Sequence, residues 1–223
     1  MTARVTQILR SGSDLVLPVV CGGCGTPGPA WCADCAAALA DDPIALSPRV
    51  ATAAPVWALG RYRDTHRAAL VAMKEHGRRD LTAPLGRALA RAVVTLARWG
   101  ELPDGPALTL IPAPTRRSSA RRRGGDPVTA MARTAAVALG PRAVAAPLLI
   151  TTARTRDSAG LDARHRARNL AGAVRLRGRS PATAGPTILL DDVLTTGATA
   201  AESIRVLAAH GMRVDAVLVV AGA

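Results

Sequence analysis

The chain has 223 residues and a formal charge of +13, with 28 Arg, one Lys, 47 Ala, three Trp, one Tyr and no Phe. That length suits one ordinary domain, or one domain with a small accessory module, and is enough to bury a core. No apolar run reaches the ~18 residues of a membrane helix, the first 18 residues lack a secretory h-region, and apolar segments recur along the whole chain, so membrane insertion, export and disorder are not expected and a cytoplasmic location is.

In chain order, residues 4–17 suit a short helix. All four cysteines follow within 15 residues, as Cys21-x2-Cys24-x7-Cys32-x2-Cys35. Two CxxC pairs suit one tetrahedral Zn2+ held by four thiolates, a closed shell that is structural and not catalytic. Gly22 and Gly25 stand where tight knuckle turns need small residues. Two disulfides or a redox CxxC are the alternatives; the first needs an oxidising compartment, and the second needs one pair, not two. Ala36–Ala40 begins a helix leading out of the module, and residues 41–48 read as a linker broken by Pro43 and Pro48.

Val56–Tyr62 reads as a strand. Asp64 is expected to cap a helix running to His76 and ended by Gly77, and residues 85–99 carry apolar side chains at helical spacing. Leu108–Ile111 is a short strand, followed by a basic loop at 115–125 and a helix from Pro127 to Leu139. Val144–Ile150 is a further strand, residues 151–180 are long, Arg-rich and partly helical, Thr187–Leu190 is a buried strand, Ala198–His210 a helix and Val214–Val220 a last strand. Strands alternating with helices predict an α/β fold with a mostly parallel, Rossmann-like sheet flanked by helices, binding ligands beyond the carboxyl ends of its strands.

The charge is concentrated. Residues 116–179 hold 15 Arg against Asp126, Asp157 and Asp162, so nearly the whole excess lies there. An anionic partner explains such a field. A solvated surface in a chain with an Arg- and Ala-rich coding bias explains it too.

The sharpest signal is Thr187-Ile-Leu-Leu-Asp-Asp-Val-Leu-Thr-Thr-Gly-Ala-Thr199. A buried strand ends in two acids, a Thr/Gly loop follows, and then an Ala-rich helix. Thr195, Thr196 and Thr199 offer hydroxyls, Gly197 allows close backbone approach, and the helix turns its positive end to a phosphate. Asp191 and Asp192 can accept hydrogen bonds from a sugar diol and help hold Mg2+. Unliganded, two adjacent acids repel each other.

This segment resembles the phosphoribosyl-pyrophosphate (PRPP) motif of type I phosphoribosyltransferases. Together with the four-Cys module, Lys74, IPAPTRRSSARRRG and RARNLAGA, it resembles the ComF (ComFC) competence family over nearly the whole chain. The resemblance implies a zinc module over residues 1–45 and a phosphoribosyltransferase-like domain over 46–223. It implies that Asp191 and Asp192 bind the ribose hydroxyls and act as the catalytic pair, that Thr195, Thr196, Gly197, Ala198 and Thr199 cradle the 5′-phosphate, and that Arg116, Arg117, Arg121 and Arg123 lie near pyrophosphate with Lys74. Arg122, Arg166 and Asn169 are implied hood or DNA contacts. Where the family reads RGFNQ, this chain has Arg123-Gly124-Gly125-Asp126-Pro127. The implied cofactors are structural Zn2+, and Mg2+ with PRPP. The implied partners are PRPP or a related phosphosugar, single-stranded DNA and a protein of the competence machinery. Two functions stay open: a pentosyl transferase linked to DNA uptake, or a non-catalytic PRPP-sensing or DNA-binding regulator of the same fold. The chain ends soon after the last strand, so a base-recognising hood is expected from the zinc module or from residues 151–180.

Overall fold

The computed structural model of the protein describes residues 19–115, 125–152, 172–178 and 185–223. The helix expected at 4–17 lies outside them. The four-Cys module leads into α1 (Ala33–Ala38), then β1 (Ile44–Leu46), β2 (Val56–Ala58), α2 (Asp64–Glu75), a 3-10 turn (Arg79–Leu81) and α3 (Thr82–Arg98). β3 (Leu108–Pro112), α4 (Pro127–Leu139), β4 (Ala143–Ala145), β5 (Leu149–Thr151), β6 (Val174–Leu176), β7 (Thr187–Leu194), α5 (Ala198–Ala208) and β8 (Ala216–Gly222) follow.

The main sheet has six strands in the order β1-β2-β8-β7-β3-β4, parallel except for β1 against β2. Its centre is apolar on both faces, as a parallel sheet covered by helices must be. Ile188, Leu190, Leu218 and Val220 face α2, α3 and α4 through Leu70, Leu89 and Met131. Leu189, Val217 and Val219 face α5 and the antiparallel β5–β6 pair through Ile204, Leu207, Leu149 and Val174. This is the α/β architecture with a mostly parallel sheet that the element pattern predicts.

Several elements differ from expectation, each for a local reason. The expected linker at 41–48 contains β1, because Pro43 and Pro48 flank an edge strand, where missing donors cost little. Asp64 does not cap α2. Arg63 occupies the N-cap position without a side-chain cap, and Asp64 is the first helical residue, at φ 45°. Pro112 sits inside β3. Thr109 donates to Pro186, just before β7, and Ala113 to Leu190 within it, so the nitrogen of Pro112 points the other way, where β4 has already ended. The strand expected at Val144–Ile150 is two strands in two sheets, parted at Ala146-Pro147-Leu148 by a tight turn in which the Leu148 N–H donates to the Ala146 carbonyl at 2.8 Å. Within the expected partly helical 151–180, Val174–Leu176 is a strand.

Candidate functional site: paired acids beside a cysteine module

β7 continues past Leu190, so Asp191 and Asp192 lie within the strand and not after it. Pairing with β8 holds them there, Asp191 opposite Val219 and Val193 opposite Ala221. The Asp192 N–H donates to Asp191 Oδ1 at 2.8 Å. Asp192 Oδ1 meets Lys74 Nζ, on the last turn of α2, at 2.7 Å. The lysine neutralises one acid and leaves the other exposed to its neighbour. Burial, then the charge of Asp192, push Asp191 up to about 8, against the opposing pull of the Asp192 N–H and Lys74; Asp126 adds a smaller upward push. Burial and the neighbouring charge thus favour the protonated form of Asp191.

The turn after β7 is built around Gly197. Its φ of 86° favours glycine, and a Cβ there would stand 2.7 Å from Pro48 Cβ and 2.9 Å from the Val50 carbonyl oxygen. The Val50 N–H donates to the Thr196 carbonyl at 2.8 Å, so residues 48–50 brace the loop from behind. Thr196 is buried, and its hydroxyl oxygen accepts from the Ala198 N–H at 3.3 Å. The hydroxyls nearer solvent belong to Thr195 and Thr199. Asp191, the loop and the start of α5 enclose a shallow concavity of about 30 Å³.

A larger cavity, about 410 Å³, opens between the C-terminal end of α2, the 3-10 turn and the starts of α3 and α4. Asp126 stands at its edge as the N-cap of α4. Its carboxylate accepts from the Val128 N–H at 3.1 Å, the Thr129 hydroxyl at 2.6 Å and the Thr115 hydroxyl at 2.7 Å. Pro127 follows at the first helical position. Asp126-Pro127 is thus a helix start, and Asp126 ties Thr115 to the beginning of α4.

The four cysteine sulfurs lie within 4.8 Å of one another, with Cys24 Sγ and Cys32 Sγ 3.6 Å apart. A tetrahedron with Zn–S bonds of ~2.3 Å has S···S edges of about 3.8 Å. The Gly23 and Cys32 N–H groups point at Cys21 Sγ from 3.5 and 3.3 Å, and the Cys35 N–H at Cys32 Sγ from 3.4 Å. Burial raises the Cys21 thiol, but the N–H groups of Cys24, Cys32 and Gly23 outweigh it and bring it to about 6. Burial, then the neighbouring thiols, raise Cys35. A cation among the four sulfurs removes that conflict, so the cluster fits a metal such as zinc.

Several contacts among the described residues fix the module to the domain. Gly22 packs so closely on Leu81 that a Cβ would stand 2.6 Å from its side chain. Cys35 Sγ lies 3.9 Å from the Thr65 hydroxyl at the start of α2. Arg78, just past α2, donates to the Val20 and Ala30 carbonyls of the module at 2.9 and 3.1 Å, and its Nε and Nη2 hold Asp80 at 3.0 and 2.8 Å.

Of the residues the sequence points to, the structure groups Asp191, Asp192, Lys74 and 195–199 at one end of the sheet, and the four cysteines at the module. Arg116, Arg117, Arg121, Arg122, Arg123, Arg166 and Asn169 lie outside the described residues. Sequence reasoning misses Arg78, Val50 and the lining of the larger cavity, since their partners lie far along the chain or on other helices. The role of Asp126 is missed too, although an Asp before a Pro at a helix start is a signal that could have found it. Among the described residues no helix is long and apolar enough to cross a membrane. No protein-family model matches the chain, and no functionally curated protein is significantly similar to it.

Proposed function

We propose that the chain is a ComF-like protein with a type I phosphoribosyltransferase fold, and that it binds PRPP with Mg2+ at the end of β7. The observation that carries this reading is the sequence of parts on one strand: two half-buried acids, a glycine turn braced from behind, and the N-terminus of an 11-residue helix. The carboxylates accept from the ribose 2′- and 3′-hydroxyls. The backbone N–H groups of the turn and α5 face the 5′-phosphate. Mg2+, bound with the pyrophosphate, would supply charge neutralisation of the leaving group, and Asp191 and Asp192 are the acids that could help hold it. A pentosyl acceptor displaces pyrophosphate at C1, and the protein's part is to orient the two and to stabilise the departing anion. Zn2+ is the metal proposed for the four thiolates, with a structural role.

The test is a thermal-shift titration. PRPP with Mg2+ raises the melting temperature in a saturable way, with about 2.7 kcal/mol of stabilisation at a hundred times Kd. Asp191→Ala combined with Asp192→Ala removes the shift. An unshifted wild type rejects the reading.

A further inference from the structure

The four sulfurs of the cysteine module are not equally reachable. Cys21 and Cys35 are each 2% exposed, whereas Cys24 is exposed and Cys32 half-buried. The two buried sulfurs are closed in by backbone. Cys21 Sγ faces the N–H groups of Gly23 and Cys32 at 3.5 and 3.3 Å. Cys35 Sγ packs so closely on Gly23 that a Cβ there would stand 2.5 Å from it, and it lies 3.9 Å from the Thr65 hydroxyl of α2. Cys24 Sγ, by contrast, has the Thr26 hydroxyl at 3.1 Å and Cys32 Sγ at 3.6 Å. The two reachable sulfurs therefore belong to different CxxC pairs, with seven residues between them. A disulfide needs them roughly 1.5 Å closer, a shift within reach of side-chain rotation.

We propose that Cys24 and Cys32 are an oxidation site, which hydrogen peroxide converts to a disulfide across the two pairs with loss of the bound metal. The inference rests on the zinc reading for the loss of metal; the choice of sulfurs rests on exposure and contact alone. Thiol oxidation follows thiolate character and access, and Cys24 leads on access. Its thiolate attacks one peroxide oxygen. An S–O bond forms, the O–O bond breaks, and hydroxide leaves and takes up a proton. The Cys32 thiolate then attacks the Cys24 sulfur. The S–S bond forms as the S–O bond breaks, and a second hydroxide leaves and is protonated. The two sulfurs have together given up two electrons, and one peroxide has become two waters. Cys21 and Cys35 remain, and two thiolates do not complete the four-ligand shell of a structural zinc site. The module stays docked, because its grips on the domain use neither oxidised sulfur: Arg78 holds the Val20 and Ala30 carbonyls, and Gly22 packs on Leu81. The disulfide closes the same loop that the metal closed, so a thiol reductant restores the site.

The experiment treats the full metal-loaded chain with hydrogen peroxide and follows zinc with a chromogenic chelator. Differential alkylation before and after reduction, read by tandem mass spectrometry, shows which cysteines are oxidised. At one disulfide per chain, Cys24 and Cys32 are the oxidised pair, and Cys21 and Cys35 are alkylated as free thiols. Peroxide speeds the transfer of zinc to the chelator by about ten-fold or more, one ion for each disulfide. The oxidised chain keeps its cooperative melting transition, and dithiothreitol with added zinc restores the starting state. A disulfide within either CxxC pair or between Cys21 and Cys35, or an indiscriminate mixture, overturns the proposal. So do four intact thiols under peroxide that oxidises free cysteine, Cys24 carried to a sulfinate with Cys32 still free, zinc retained after the disulfide forms, or a chain that unfolds on oxidation. If the purified chain carries no zinc and the Cys24–Cys32 pair still forms first, the sulfur assignment stands and the zinc reading falls.

Discussion

At the scale of single residues the site holds opposing demands. Asp191 is a carboxyl group raised to about 8 because it is buried beside another acid. An unfolded chain releases that proton near the ordinary carboxylate range, whereas the folded chain keeps it until about pH 8. Folding stability from this group is therefore full at low pH, falls as pH rises across that window, and is flat above it. Asp191→Asn removes the conflict. The ligand-free variant melts higher than the wild type at pH 7, by roughly 2–4 °C for each kcal/mol relieved in a domain of this size. Its melting temperature also depends less on pH between 4 and 8. Melting curves across that range check both points, and a variant less stable than wild type at pH 7 would contradict the assignment. Gly197 sets the opposite constraint. Gly197→Ala combines a positive φ with a contact to the Val50 carbonyl, and should cost about 2 kcal/mol or more in urea unfolding. A loss under 0.5 kcal/mol would mean that the turn is not held as described.

At the scale of elements, α2 joins the two halves of the molecule. Its first turn touches Cys35 through Thr65, its last turn gives Lys74 to Asp192, and Arg78 just beyond it grips two carbonyls of the cysteine module. Arg78→Ala keeps all four thiolates but frees the module. Zinc should then pass to a chromogenic chelator about ten-fold faster, and an unchanged rate would show that the cysteine cluster holds its shape unaided. The legibility of elements follows from the range of their causes. α4 was readable at about Pro127 to Leu139 because its causes are local: Asp126 caps it, Pro127 opens it and Gly140 ends it. β7 was readable in place but not in length: its acids look like a strand end, and only its pairing with β8 carries it on to Leu194, since pairing with β3 stops at Leu190. The break at Pro147 divides an apolar run that periodicity alone joins, because which sheet each half enters is decided by distant partners. The paired acids and the cysteine cluster were visible as motifs. The Arg78 clamp and the arginine-lined cavity were not, since each is assembled from segments far apart in the chain.

At the scale of the whole molecule, the question is where the positive charge goes. Most of the excess lies in residues 116–179, and Arg133 in α4 faces the larger cavity. Trp31, Trp57 and Tyr62 pack on the core, which leaves Trp99 as the one exposed aromatic side chain and little surface for stacking successive bases. Any DNA contact should therefore be electrostatic. Replacing Arg121, Arg122 and Arg123 together should lower affinity for single-stranded DNA and flatten its dependence on log salt by about two, at ~0.7 for each phosphate no longer neutralised. An unchanged slope would separate that loop from DNA. If β7 and its turn form a phosphosugar site, isothermal calorimetry with PRPP and Mg2+ should detect it. The predicted result is one PRPP per chain, with binding lost in the Asp191→Ala, Asp192→Ala double variant while its fold and zinc content persist. Absence of heat from the wild type, or unchanged binding in the double variant, would contradict it.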